Sequence, residues 1–280
     1  MSVSVRKSLF AFVRIIIGAI LLVLLVYPVF YVIMSSMKTL NEFQRSPSYA
    51  LPASLNFSNY IKVFTTSQIA NYFKNSLIIA VTTVVLLLLL ASLAAFALCK
   101  IKFKGNKFLY TFFMLGLMLP FQVAMIPLFF MFSKVHILNT YAAVIIPQAA
   151  FSLSYSTMLF YSFYKFLPND VIESGIIDGC SPLGCFFRIV APMSLNSFLT
   201  VATLQFVFCW NDFICAYTFT RSTVMKTITL GLNDFVGMYG LTDWGATFAA
   251  VAVTVLPTFI FYFITSKYMM SGLTAGAVKG

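Results

Sequence analysis

The chain has 280 residues, 61% of them hydrophobic and 9% charged, with a formal net charge of +11. That composition excludes an ordinary soluble domain, because runs such as Val81–Ala97 carry no charge over nearly the roughly 20 residues that a helix needs to cross a bilayer core. The basic residues are scattered at the ends of apolar runs rather than clustered on a face, which excludes a nucleic-acid-binding surface and reads as topology signals.

The fold class expected is all-α integral membrane, with six transmembrane helices near 10–34, 76–99, 108–132, 141–165, 198–219 and 246–266. Three segments follow: 1–75 as an N-terminal span and outer loop, 76–266 as the core transmembrane domain, and 267–280 as a cytoplasmic tail. The first span is too long for a signal-peptide core and lacks a small-residue cleavage site, so it is expected to remain as an uncleaved helix. Pro28, Pro120, Pro127, Pro147 and Pro257 fall within spans, where neighbouring helices satisfy the carbonyls that a proline frees. Pro120 and Pro127 make the third span the one expected to bend most.

Between the second and third spans, "KIKFKGNK" (100–107) places four lysines in one short connection. The positive-inside rule puts that loop, and with it Arg6, Lys7 and both termini, in the cytoplasm. Residues 35–75 and 220–245 then face outward, and 166–197 face inward. In the resulting inner loop lies "ESGIIDGCSPLGCFFRIVAP" (173–192), far more polar than its surroundings. Asp170 is expected to N-cap a short helix with Glu173 completing a capping box, and Ile172 and Ile176 give it an apolar side. Gly175 and Gly179 give it a side without bulk, open to close approach by another backbone or a partner surface. Ser181-Pro182 reads as a second helix start, "CFFRIV" as an apolar helix, and Pro192 as the turn toward the fifth span. The result is a helix–turn–helix elbow, and it serves either as a connector or as a docking surface. Ile176, Ile177, Phe186 and Phe187 beside two acids suit docking.

Asp212, in "CWNDF", is the single acid within the spans and marks either a functional site or a structural residue bonded to neighbours such as Asn211. Trp210 either stacks on a sugar face or joins an interfacial belt. Trp210, Asn211, Asp212 and Tyr155 are the candidates for a solute pathway, although aromatic residues such as Tyr155 and Phe151 more often serve packing. His136 is the only histidine and is assigned to capping an outer loop. Cys99, Cys180, Cys185, Cys209 and Cys215 have no metal-ligand spacing and read as small buried residues, so no metal site is expected. No G-x-x-x-x-G-K-[ST] phosphate loop occurs, and no nucleophile–base pair falls at one membrane depth, so the chain is not read as an enzyme. The alternative of a stand-alone secondary transporter or channel for a small solute would want several intramembrane carboxylates or repeated broken helices.

Glu173, Gly179, Ile189 and Pro192 stand at the offsets of the "EAA" motif, so the chain resembles the permease subunits of binding-protein-dependent ABC importers. Ser174 and Gly175 replace the motif's alanines and Ala191 its leucine; Gly175 loosens the helix by up to about 1 kcal/mol relative to alanine. "LNFSNYIKVF" (55–64), "NSLIIA" (75–80), "WNDF" (210–213), "DWG" (243–245) and "GLTAGAVKG" (272–280) are similar to the carbohydrate-uptake branch, in particular its maltose-type second membrane subunit. The resemblance implies a type I (MetI-like) architecture in a bacterial or archaeal inner membrane, importing a sugar or oligosaccharide. It implies as partners a second permease subunit, two cytoplasmic ATPases that hold the ATP and Mg²⁺, an extracytoplasmic solute-binding protein and membrane lipid, with no nucleic acid and no cofactor in this chain. It also implies an ATPase-coupling role for Glu173, Ser174, Gly175, Asp178, Gly179, Ile189 and Pro192, and a tail, carrying Lys279, that reaches toward the ATPases.

Overall fold

A computed structural model describes residues 3–235 and 242–277. Among the described residues the regular structure is helical, with no strand. In chain order the α-helices are α1 Val3–Ser36, α2 Leu40–Arg45, α3 Ser58–Thr66, α4 Ile69–Lys100, α5 Asn106–Gly116, α6 Phe121–Lys134, α7 Tyr141–Tyr164, α8 Asn169–Ile177, α9 Pro182–Cys185, α10 Ala191–Met193, α11 Leu195–Asn211, α12 Ile214–Phe219, α13 Ile228–Gly231 and α14 Trp244–Ala277. A π-helical turn, Phe186–Val190, joins α9 to α10.

Four helices (α1, α4, α7 and α14) are each long and apolar enough to cross a membrane. α5 with α6 and α9–α10 with α11 form two further pairs, bent by 94° and 79°, so six spans result when each pair counts once. The expected bend in the third span lies at Pro120, which is extended (φ −73°, ψ 133°) and starts α6. Its missing N–H and ring keep the preceding turn from continuing as helix. Pro28, Pro127, Pro147 and Pro257 lie inside helices.

The fifth span differs from the single helix expected over 198–219. α11 stops at Asn211 because Asp212 turns extended (φ −65°, ψ 123°), and its carboxylate accepts from the N–H groups of Cys215 (3.3 Å) and Ala216 (3.2 Å) to begin α12. The last helix runs to Ala277, past the expected end at 266. Lys279 lies outside the described residues.

The chain divides into two compact units, Met1–Ile69 with Leu232–Val255 and Ala70–Gly231 with Leu256–Gly280. The first unit therefore takes in part of the last helix, which a division of the sequence at residue 75 does not anticipate. Within it, Phe248 stacks on Phe43 (centroids 5.9 Å apart) and meets Tyr31 edge-on, while Asn59 donates to the carbonyls of Ser36 and Lys38 (both 2.8 Å). α2 carries a capping box between Thr39 and Glu42. The backbone N–H groups of Ala53 and then Thr39 hold the Glu42 carboxyl below the usual carboxylate range.

In the second unit, α4 has 32 residues and a length of about 48 Å, so its two ends mark opposite ends of the unit. At its start, Asn75 donates to the carbonyls of Val224 (2.7 Å) and Lys226 (2.9 Å), and Ser76 Oγ accepts from Ile228 N–H (2.8 Å). At its finish, Lys100 donates to the carbonyl of Leu167 (2.8 Å) and to Asn169 Oδ1 (2.7 Å). The lysine-rich connection and the elbow thus share one end.

Candidate functional site

The elbow begins two residues earlier than expected. Pro168, extended at ψ 131°, is the N-cap of α8 and supplies no side-chain bond, so Asp170 falls in the first turn and no capping box with Glu173 forms. The Asn169 side chain, next in line to cap, accepts from Lys100 instead. Asp170 still places negative charge at the helix N-terminus, where the macrodipole favours it. Glu173 is exposed and makes no hydrogen bond or ion pair among the described residues.

α8 ends in a Schellman turn. Gly179 N–H donates to Ile176 O (3.0 Å) and Cys180 N–H to Gly175 O (2.9 Å), with Gly179 left-handed at φ +85°. Ser181 then caps α9 by accepting from Gly184 N–H (3.1 Å), and Pro182 takes the first helical position, as the sequence predicts. Within "CFFRIV", Cys185 closes α9 and Phe186–Val190 form the π-helical turn rather than an ordinary α-helix. The turn to α11 falls at Ser194, two residues beyond Pro192, where Ser194 Oγ donates to the Val190 carbonyl (2.6 Å).

Burial divides the elbow's side chains into two sets. Ile172, Cys185, Phe186 and Val190 are buried against Phe96 of α4 and Phe160 and Tyr164 of α7. Phe186 therefore belongs to the core and not, as expected, to a docking surface. Gly175 is also buried, and a Cβ there would run into Ile189 Cδ1, so its lack of bulk serves contact within the chain rather than with a partner. The surface left uncovered holds Ile177 (85% exposed), Leu183 (60%), Ile176 (56%) and Phe187 (55%), with Glu173, Ser174 and Asp178 beside them; Ile176 lies one turn beyond the buried Ile172 on the same side of α8. A groove of about 700 Å³ runs between the end of α4 and the elbow, with Lys100 and Lys102 on one wall and Glu173 and Ile176 on the other.

A second concavity, of about 400 Å³, lies among α5–α7, α11 and α12. It brings Asp212 and Tyr155 together but not Trp210 or Asn211. Trp210 is fully buried, edge-on to Phe73 (5.2 Å) and stacked on Phe206 (5.7 Å), which places it in the core and away from both a sugar face and an interfacial belt. Asn211 is exposed and donates to the Val207 carbonyl (2.9 Å). The side-chain partner of Asp212 is Gln148, whose Nε2 donates to Oδ2 (3.2 Å), not Asn211. Gln148, Gln122 and Gln205 also line this cavity. Uncharged amides carry no charge signal in an apolar run, so the sequence reading missed them. A polar residue within a span is itself the signal that finds them.

His136 closes α6 through its backbone. It is left-handed at φ 57°, and its N–H and that of Ile137 donate to the carbonyls of Ser133 (3.2 Å) and Phe132 (3.1 Å).

The family profile described as binding-protein-dependent transport system inner membrane component matches residues 88–268. The trehalose/maltose transport system permease protein MalG of Thermococcus litoralis is 33% identical over 98% of this chain and 99% of its own length. The diacetylchitobiose uptake system permease protein NgcG of Streptomyces coelicolor is 31% identical over 92% of this chain and 85% of its own. Among solved structures, a chain of a bacterial ABC transporter involved in the import of the acidic polysaccharide alginate superposes with a TM-score of 0.84 at 18% identity, covering 96% of this chain and 98% of that one. At that identity the likeness is one of fold.

Proposed function

The chain belongs to the binding-protein-dependent transport system inner membrane component family, and on that premise we propose that it is a permease subunit of an ATP-driven importer of sugars or oligosaccharides. The elbow at residues 166–197 faces the cytoplasm and sits in a cleft of an ATPase subunit. Two such ATPases hold the ATP and Mg²⁺, a second permease completes the membrane domain, and an extracytoplasmic binding protein delivers the solute. Closure of the ATPases moves the elbow and opens the cavity outward by rigid-body rocking. The sugar class is supported by the relatives MalG and NgcG, whose names give trehalose, maltose and diacetylchitobiose.

One observation carries the coupling role. The elbow is anchored by buried residues and presents large apolar side chains flanked by acids, which the described residues leave exposed. Exposed apolar groups that are fixed in place lose little freedom on docking, and rim charges select the partner. In this reading Glu173 and Asp178 meet basic or polar groups of the ATPase, while Ser174, Gly175, Ile189 and Pro192 hold the elbow's shape.

Replacing Ile176 and Ile177 together by glutamate tests this, since both side chains are more than half exposed. The variant is expected in the membrane at normal amount, with co-purification of the ATPase subunits reduced at least about tenfold, the loss of roughly 1.4 kcal/mol or more of docking energy. Retained ATPases and normal uptake would make the elbow a connector. Uptake by the chain alone in vesicles without ATP would overturn the importer reading itself.

A further inference from the structure

The cavity holds a polar group with nothing to bond. Gln205 is 1% exposed, lines the cavity, and its Oε1 has no hydrogen-bond partner among the described residues. A buried carbonyl oxygen without a donor is destabilising, so its retention needs a reason. Beside it, the Asp212 carboxylate receives three donors, the N–H groups of Cys215 and Ala216 and the Gln148 amide, all between 3.2 and 3.3 Å. A carboxylate offers about four acceptor sites, so one stays open. Gln148 is itself held, its Oε1 accepting from Thr83 Oγ1 (3.4 Å), which fixes the carboxylate in place. Phe151 and Tyr155 give the same cavity aromatic faces.

The wall thus combines free acceptors with aromatic surface, and among its described residues it has one acid and no Lys, Arg or His. Hydroxyl groups satisfy such acceptors, and the C–H faces of a sugar ring suit the aromatics. A carboxylated sugar would lose its hydration without gaining a cation and would meet Asp212. We infer that this cavity is a subsite for a neutral sugar, whose hydroxyls donate to the Asp212 carboxylate and, as the Gln205 side chain turns into the cavity, to its Oε1, and that it excludes acidic sugars. The inference rests on the reading of the chain as a sugar-importer permease. Likeness of fold to the alginate-importing transporter does not carry that transporter's acidic solute across to this chain, because the lining residues and not the fold set the charge.

Saturation-transfer NMR on the full chain, purified into nanodiscs with whatever subunits accompany it, tests the proposal with trehalose and diacetylchitobiose as neutral probes and an alginate trisaccharide as the acidic one. The expected result is binding of a neutral probe, no binding of the acidic one, and about tenfold weaker neutral binding in Gln205→Met, the scale of one hydrogen bond. A second variant, Gln122→Lys, adds a cation at an exposed position of the wall and should admit the alginate trisaccharide. Binding of the acidic probe by the unmodified chain, absence of neutral binding, or unchanged neutral binding in Gln205→Met would overturn the proposal. Should Gln205→Met fail to reach the membrane, Gln122→Lys decides, and continued exclusion of the acidic probe overturns it. The importer reading fails separately, through absence of ATPase subunits and ATP-independent uptake, while the NMR result stands on its own.

Discussion

Gly179 shows how much one backbone angle decides. Its φ is +85° and the position a Cβ would take is open, so a substitution there meets strain and not a clash. A left-handed residue bearing a Cβ costs about 1–2 kcal/mol, more when β-branched, whereas asparagine tolerates the region. Gly179→Val should therefore loosen the turn, seen as faster amide exchange over 175–181, and abolish solute-stimulated ATP hydrolysis; Gly179→Asn should retain both. Equal behaviour of the two variants would show that the turn is not needed. Gly175 poses the opposite problem. Its φ is helical, but the tip of Ile189 fills the space a Cβ would take, and that tip can rotate away.

Among the elements, several stretches that mark the family resemblance prove to be pins between neighbouring segments. In "LNFSNYIKVF" and "DWG", Lys62 pairs with Asp243 (2.5 Å), and Gly245 lies so close to the Asn59 side chain that a Cβ would not fit. In "NSLIIA", Asn75 and Ser76 bind the backbone at 224, 226 and 228, and Tyr141 donates to Asn75 Oδ1 (2.8 Å). Gly231, at the end of α13, packs directly on the buried ring of Tyr72. Overpacking such a contact typically costs about 1–3 kcal/mol. Gly231→Ala should thus lower the thermal stability of the nanodisc-held protein by that amount while leaving the co-purification of ATPase subunits that the proposed function expects unchanged. Unchanged melting would mean that the ring moves freely.

At the scale of the second unit, loops gather at two ends separated by the length of α4. Lys100 ties the lysine-rich connection to the elbow, and at the other end Asn139 accepts from the N–H groups of Arg221 and Ser222 (both 2.9 Å). The positive-inside rule assigns the lysine end to the cytoplasm. A membrane-impermeant maleimide applied to intact cells should then label Val224→Cys, while Lys104→Cys reacts only after permeabilisation. Both positions are exposed, so access rather than burial sets the result. The reverse pattern would overturn the orientation.

By itself the sequence determined the membrane class, a count of up to six spans and a bend in the third, because spanning length and proline chemistry are local properties. It also located the elbow and the Ser181-Pro182 start, since capping involves residues close in the chain, whereas the left-handed turn at Gly179 came from the structure. Other features needed partners far away in sequence. Phe186 and Gly175 face inward because α4, α7 and Ile189 lie against them; Trp210 is core because Phe73 and Phe206 enclose it. The break at Asp212 and the Gln205 Oε1 left without a partner among the described residues acquire meaning only when α7, α11 and α12 bring amide, carboxylate and aromatic side chains around one cavity. Period and propensity report which residues lie in a helix, but only packing decides which of them meet.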